Sequence, residues 1–173
     1  MRTDRAPLLA ARSRRGAIGA LLAAFLLPAA AAAQAPSPAF SDILVDIRPL
    51  RDKGLGPYAD AVGTALRREL LTAFADRRGR GPRLVVRVDG VSLRSYAGPG
   101  AERGGGLSSS VQNDYMEGEA LVVAPNGGVL ARYPQLSALP ASSGGAWYLP
   151  DAEARRVDAL SQHFAGWFRR RID

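Results

Sequence analysis

The sequence predicts an α+β fold: a two-layer sandwich with two helices on one face of a four-stranded, mainly antiparallel sheet, in the order β-α-β-β-β-α. Three observations predict it. Four segments alternate apolar and polar residues, the mark of half-buried strands. Two segments repeat apolar residues about every four positions, the mark of amphipathic helices. The turn signal "APNGG" at 124–128 joins the last two strands as a hairpin.

The first strand is "SDILVDIRPL". Ile43, Val45 and Ile47 share one face, Asp42, Asp46 and Arg48 the other, and Pro49 ends its capacity to pair. A turn at Gly54–Pro57 places Pro57 at a helix start. Tyr58, Val62, Leu66, Leu70 and Phe74 then form the apolar stripe of the first helix, which Gly79 and Gly81-Pro82 are expected to end. In "RLVVRVDGVSLRSY", Leu84, Val86 and Val88 share a face, while Val91 and Leu93 fall on the opposite parity. A β-bulge near Asp89-Gly90 would restore the apolar face.

Residues 97–110, "AGPGAERGGGLSSS", are expected to be a flexible connection. "VQNDYMEGEALVV" and "VLARYPQLSAL" are the hairpin strands, with Pro134 marking an edge or an end. A second loop at 140–150 leads to a helix from about Asp151 to Ile172. Its stripe is Val157, Leu160, Phe164, Trp167 and Phe168. Asp151 is the expected N-cap, Glu153 joins it in the first turn, and Arg169, Arg170 and Arg171 occupy the last, which suits the helix dipole at both ends. The uncovered face of the sheet would carry Asp46, Arg48, Arg87 and Asp89 and be partly wet.

The chain opens with Arg2, Arg5, Arg12, Arg14 and Arg15, followed by the apolar run "GAIGALLAAFLLPAAAAAQA". A basic start, an apolar middle and a small-residue exit read as a signal peptide over residues 1–33, cut after Ala33. Bulky apolar residues are confined to Ile18–Leu27, and Pro28 interrupts the run, so it reads as a leader and not a membrane span. The expected destination is the periplasm or the medium by the general secretory route. Arg14-Arg15 partly matches a twin-arginine signal and keeps that route as the alternative. Residues 34–40 form a Pro-rich lead, and 41–173 a single domain.

Cysteine is absent. That excludes a disulfide framework, a thiol nucleophile and a lipid-modified cysteine. Five of the 23 basic and one of the 16 acidic residues lie in the leader, which lowers the net charge from +7 to +3. So mild a balance, with Lys53 as the only lysine, does not point to nucleic acid.

The usual catalytic constellations are missing. There is no G-x-S-x-G elbow. His163 is the only histidine and lies about 100° from the centre of its helix stripe. One His and no Cys do not make a transition-metal site, so neither a metal nor a cofactor is expected. The glycines of "GPGAERGGG" miss both phosphate-binding spacings. Glu117 and Glu119 share a strand face about 6.6 Å apart, a separation that suits paired carboxylates in glycoside hydrolysis. Such a pair is more often the solvent side of a strand.

Two features suggest a binding edge. Trp147 and Tyr148 sit between a Ser/Gly loop and a helix start, either closing the core or facing a partner. Arg155 and Arg156 follow, and guanidinium groups pair bidentately with anionic headgroups.

The segments "YADAVGTALRRELLTAF", "RLVVRVDGVSL", "YMEGEALVVAPNGGVLARYP" and "EARRVDALSQHFAGWFRRRI" follow a pattern that resembles small bacterial envelope proteins, the LPS-assembly lipoprotein (LptE-like) family and related exported proteins among them. The resemblance covers most of residues 41–172 and rests on pattern without a diagnostic motif. It implies a non-enzymatic binding or envelope-assembly role. The family carries a lipidated cysteine that this chain lacks, so no stable membrane anchor is expected after the leader is removed. The expected partner is an envelope protein or an anionic amphipathic lipid. The alternative is a small hydrolase of a cell-wall or glycan substrate using Glu117 and Glu119.

Overall fold

A computed structural model describes residues 39–94, 113–146 and 148–172. The leader, most of the Pro-rich lead, the 97–110 segment and Trp147 lie outside the described residues. Strand β1 spans Phe40–Asp46, helix α1 Arg48–Asp52, helix α2 Gly56–Ala73, strand β2 Arg78–Ser92, strand β3 Asn113–Val123, strand β4 Val129–Pro140 and helix α3 Ala152–Arg171. The four strands form one sheet in the order β1-β2-β3-β4. β1 runs parallel to β2, and the other two pairs are antiparallel. The parallel pair needs a crossover connection, which α1 and α2 supply. The α+β class and the four-stranded sheet are as expected; the sheet is mixed.

Both long helices press their stripes onto one side of the sheet. Val62, Leu66 and Leu70 from α2 meet Leu160, Phe164 and Phe168 from α3 over Leu84, Val86, Val88, Met116 and Ala120, all buried. Each such side chain contributes roughly 1.5–3 kcal/mol by leaving water. Phe164 and Phe168 stack edge-on at 4.8 Å, and Phe40 meets Phe74 the same way at 5.6 Å. Phe40 therefore belongs to the domain, not to the lead.

The bulge falls where the parity switch requires it. Val88 pairs with Gly118 and Gly90 with Glu117, which leaves Asp89 as the extra residue. Val91 and Leu93 are thereby turned back against the core. Gly127, at φ 88°, closes the β3–β4 hairpin through bonds from Ala124 N to Gly128 O and from Gly127 N to Ala124 O. Pro134 sits on β4, an edge strand.

Three local expectations are corrected. Pro49 does not merely end a strand; it lies in the first turn of α1, whose Leu50 is fully buried. Gly79 and Gly81-Pro82 do not terminate α2, which stops at Ala73; they begin β2. A Cβ on Gly81 would stand 2.2 Å from the carbonyl oxygen of Ala39, so glycine is needed for the chains to approach there. Asp151 occupies the N-cap position of α3 without capping it, because its carboxylate accepts from Arg155 Nε at 2.8 Å instead.

Candidate functional site

A cleft of about 340 Å³ lies between the N-terminal halves of α2 and α3. Ala65 from α2 and Val157 from α3, both buried, form its floor, and the exposed Ala61 and Ala154 stand at its sides. Alanine on both helices leaves the gap, since larger side chains at these positions would close it. Tyr58 forms one wall and Pro150 another. The rim carries Asp151, Glu153 and Asp158. Asp158 is met by Arg68 at 2.9 Å and Asp151 by Arg155.

Tyr58 is half-buried, and its phenol is pushed up to about 12. Burial is the main cause, reinforced by the charges of Glu153 and Asp114 and offset by Arg156. The hydroxyl therefore stays neutral at any physiological pH and remains a hydrogen-bond donor beside the cleft.

The approach to α3 explains its Ser/Gly stretch. Ala141–Gly144 form a short 3-10 turn. Gly145 takes φ 88° and donates to Ser142 O at 2.9 Å. Gly144 is buried, and a Cβ there would stand 2.5 Å from Arg156 Cγ and 2.8 Å from Arg156 N. The glycines thus let the chain pass under the first turns of α3. Tyr148 follows with 72% of its surface exposed, so it is not part of the core.

The structure separates the four residues expected at the binding edge. Tyr148 and Arg155 are exposed, and Arg155 holds Asp151 of the cleft rim. Trp147 is outside the described residues. Arg156 does not belong to an exposed edge, which corrects the expectation for it: it is buried, and its guanidinium clasps Asp114 through Nε–Oδ2 at 2.7 Å and a second contact from Nη2 to Oδ1. Nη2 also donates to Arg94 O at 2.8 Å. The remaining basic residues of α3 sit at its far end. Arg169 reaches Asp76, and Arg171 lies over the Trp167 ring at 4.8 Å.

Glu117 and Glu119 lie on the uncovered face of the sheet. Glu119 sits between Arg87, at 3.1 Å, and Arg132, at 3.3 Å, while Glu117 is exposed. Arg87 also holds Asp89 at 2.9 Å, and this contact, more than the neighbouring Glu119 and Asp46, raises its pKa. Asp46 is held below the usual carboxylate range, chiefly by its bond from Arg48. Asp46 lies on the uncovered face as expected, but Arg48, expected on the same strand face, belongs to α1 and reaches Asp46 from there. His163 is half-buried on α3, its Nδ1 3.2 Å from Ser137 Oγ, which also accepts from Gln135 Nε2 at 2.7 Å.

Among the described residues, no group of three or more His, Cys, Asp or Glu side chains converges on a metal-sized site. Among them, too, no helix is long and apolar enough to cross a membrane. Comparison with protein-family models and with curated proteins returns no match.

The cleft escapes sequence reasoning because it lies between two helices 90 residues apart along the chain. Its one signal is the small side chain at Ala61, Ala65 and Ala154, of which only Ala65 is buried.

Proposed function

We propose that this chain is an exported, non-enzymatic module of the cell envelope that binds a partner protein through the α2–α3 cleft and the 148–155 edge. The observation that carries the reading is an apolar cleft whose Pro150 wall lies two residues along the chain from an exposed tyrosine, Tyr148. Exposed aromatics next to apolar concavities are where protein partners anchor. The leader-like residues 1–33 and the pattern-level resemblance to envelope-assembly proteins support the location and the role.

Of the two expected partner classes, a protein is the better fit. An anionic lipid headgroup would need free guanidinium groups at the edge. Arg155 faces Asp151, Arg156 faces Asp114, and carboxylates rim the cleft. A hydrolase acting through Glu117 and Glu119 is the weaker reading, since Glu119 is held by two arginines on an open sheet face.

The test is a photo-crosslinking amino acid placed at Tyr148 in growing cells, with Asn126 at the far hairpin as control. The expected result is one defined envelope protein captured from position 148 and not from position 126. Equal capture from both positions, together with a deletion strain that resists detergent and osmotic stress like its parent, would overturn the reading.

A further inference from the structure

The uncovered face of the sheet is more than a solvated surface. It carries two strongly exposed leucines on β4, Leu130 at 64% and Leu136 at 63%, with Tyr115 of β3 also exposed, and Leu44, Val85 and Leu121 half-buried in one row across β1, β2 and β3. Lone exposed apolar residues need no explanation, but a sheet face that gathers several of them does. The charges on this face are ordered by strand. Asp42 and Asp46 stand on β1, Arg83 and Arg87 with Asp89 on β2, Glu117 and Glu119 on β3 and Arg132 on β4, so the net sign of the strands alternates − + − + across the sheet. Cα pairing puts Asp46 beside Arg87 and Arg87 beside Glu119, with Arg132 one row up beside Leu121.

This order is self-complementary under one symmetry operation only. A twofold axis lying between two such faces and parallel to the strands sets β1 over β4 of the second copy and β2 over its β3. Arg87 then meets Glu119, Val85 meets Leu121, and Leu44 meets the alkyl stem of Arg132. An axis across the strands would instead set each charge over its own copy. We propose that this face binds a second copy of the chain, giving a face-to-face dimer whose twofold axis runs along the strands.

The geometry tolerates the usual packing angle. Stacked sheets cross at about −30°, and strands about 4.8 Å apart place the inner pair, which carries Arg87 and Glu119, about 2.4 Å from the axis. The offset there is about 1 Å, within the reach of an arginine side chain. Arg87 and Arg132 stand higher than the carboxylates between them, their side chains 41% and 57% exposed against 14% for Glu119. Each carboxylate has acceptor sites for a further donor from above. The apolar contacts supply the attraction, and the charge order selects the orientation.

The experiment is sedimentation equilibrium on the exported chain at 1–200 μM, about the range in which moderate homodimers assemble. The parent chain is expected to dimerise. Arg87→Glu alone and Glu119→Arg alone should each weaken dimerisation at least tenfold, since each places like charges opposite one another. Mixing the two variants in equal amounts should restore a dimer, because the mixed pair again sets opposite charges face to face. Leu130→Glu, at an exposed position that leaves the fold intact, should also weaken it at least tenfold. Thermal melts confirm that each variant is folded. A parent chain that stays monomeric to 200 μM overturns the proposal. So do single variants that dimerise as tightly as the parent, and a mixture that stays monomeric, which would mean that the Arg87–Glu119 contact acts only within one chain.

Discussion

Asp114 and Arg156 form a buried, two-pronged ion pair that ties together three separate parts of the chain. Asp114 opens β3 and Arg156 lies in the second turn of α3, and their side chains are only 3% and 8% exposed. Asp114 also accepts from the backbone N–H of Arg94 at 3.0 Å, and Arg156 donates to the carbonyl of the same residue. The end of β2, the start of β3 and the start of α3 are thereby held at one point. Removing one partner leaves the other charge buried and alone, which costs about 3–5 kcal/mol. Arg156→Ala and Asp114→Ala are each expected to lose that much in urea unfolding. The double variant Arg156→Met with Asp114→Leu should recover most of it, because no charge is left stranded.

The charges on the open sheet face should behave differently. Arg132 is 57% exposed and holds Glu119 at the edge of the sheet. Solvent screens such a pair, and exposed pairs contribute no more than about 1 kcal/mol. Arg132→Ala is expected to change the stability of the monomeric chain by less than that, and by less again at high salt. Unfolding measured at low protein concentration, at two salt concentrations, checks it.

What the sequence showed and what it hid divide along physical lines. Alternation in β2 and β3 and the stripes of α2 and α3 follow from local periodicity, so those elements, and the bulge that repairs the parity at Gly90, were legible. Gly79 and Gly81 were misread because a glycine that permits close approach looks the same, in sequence, as one that stops a helix. Arg156 was misread because nothing near it in the chain announces Asp114, which is 42 residues away. The second arginine of Asp-Ala-Glu-Ala-Arg-Arg at a helix start looks solvated, and only the tertiary fold supplies its carboxylate. Tyr58 was legible as a stripe residue, but the cleft beside it depends on how two helices pack.

Glycines in this fold divide into two classes with different expected costs. Gly118 pairs with Val88 in mid-sheet, and a Cβ there would stand 2.1 Å from the carbonyl oxygen of Arg87. Backbone must move to accept it, so Gly118→Ala is expected to cost roughly 1–3 kcal/mol, the usual range for overpacking. Gly127 has open space around its Cβ position but a φ of +88°. Gly127→Ala should cost about 1–2 kcal/mol from backbone strain alone, and Gly127→Asn less, because asparagine tolerates that region. Paired melts of the three variants separate steric from conformational cost.

Tyr58 should give the domain a stability slope at alkaline pH. Its phenol ionises near its ordinary value of about 10 in the unfolded chain and is pushed up to about 12 in the fold, where burial, Glu153 and Asp114 oppose the phenolate. Between those values the folded state holds the proton and the unfolded state has lost it. Stability therefore falls as pH rises from about 10 to about 12, and this contribution is constant below that window. Tyr58→Phe removes the proton and should flatten the slope by the share due to this residue. Urea midpoints of the parent and of Tyr58→Phe, measured from pH 9 to 12, test it. Parallel curves would mean that the tyrosine is as free to ionise at the cleft as it is in water.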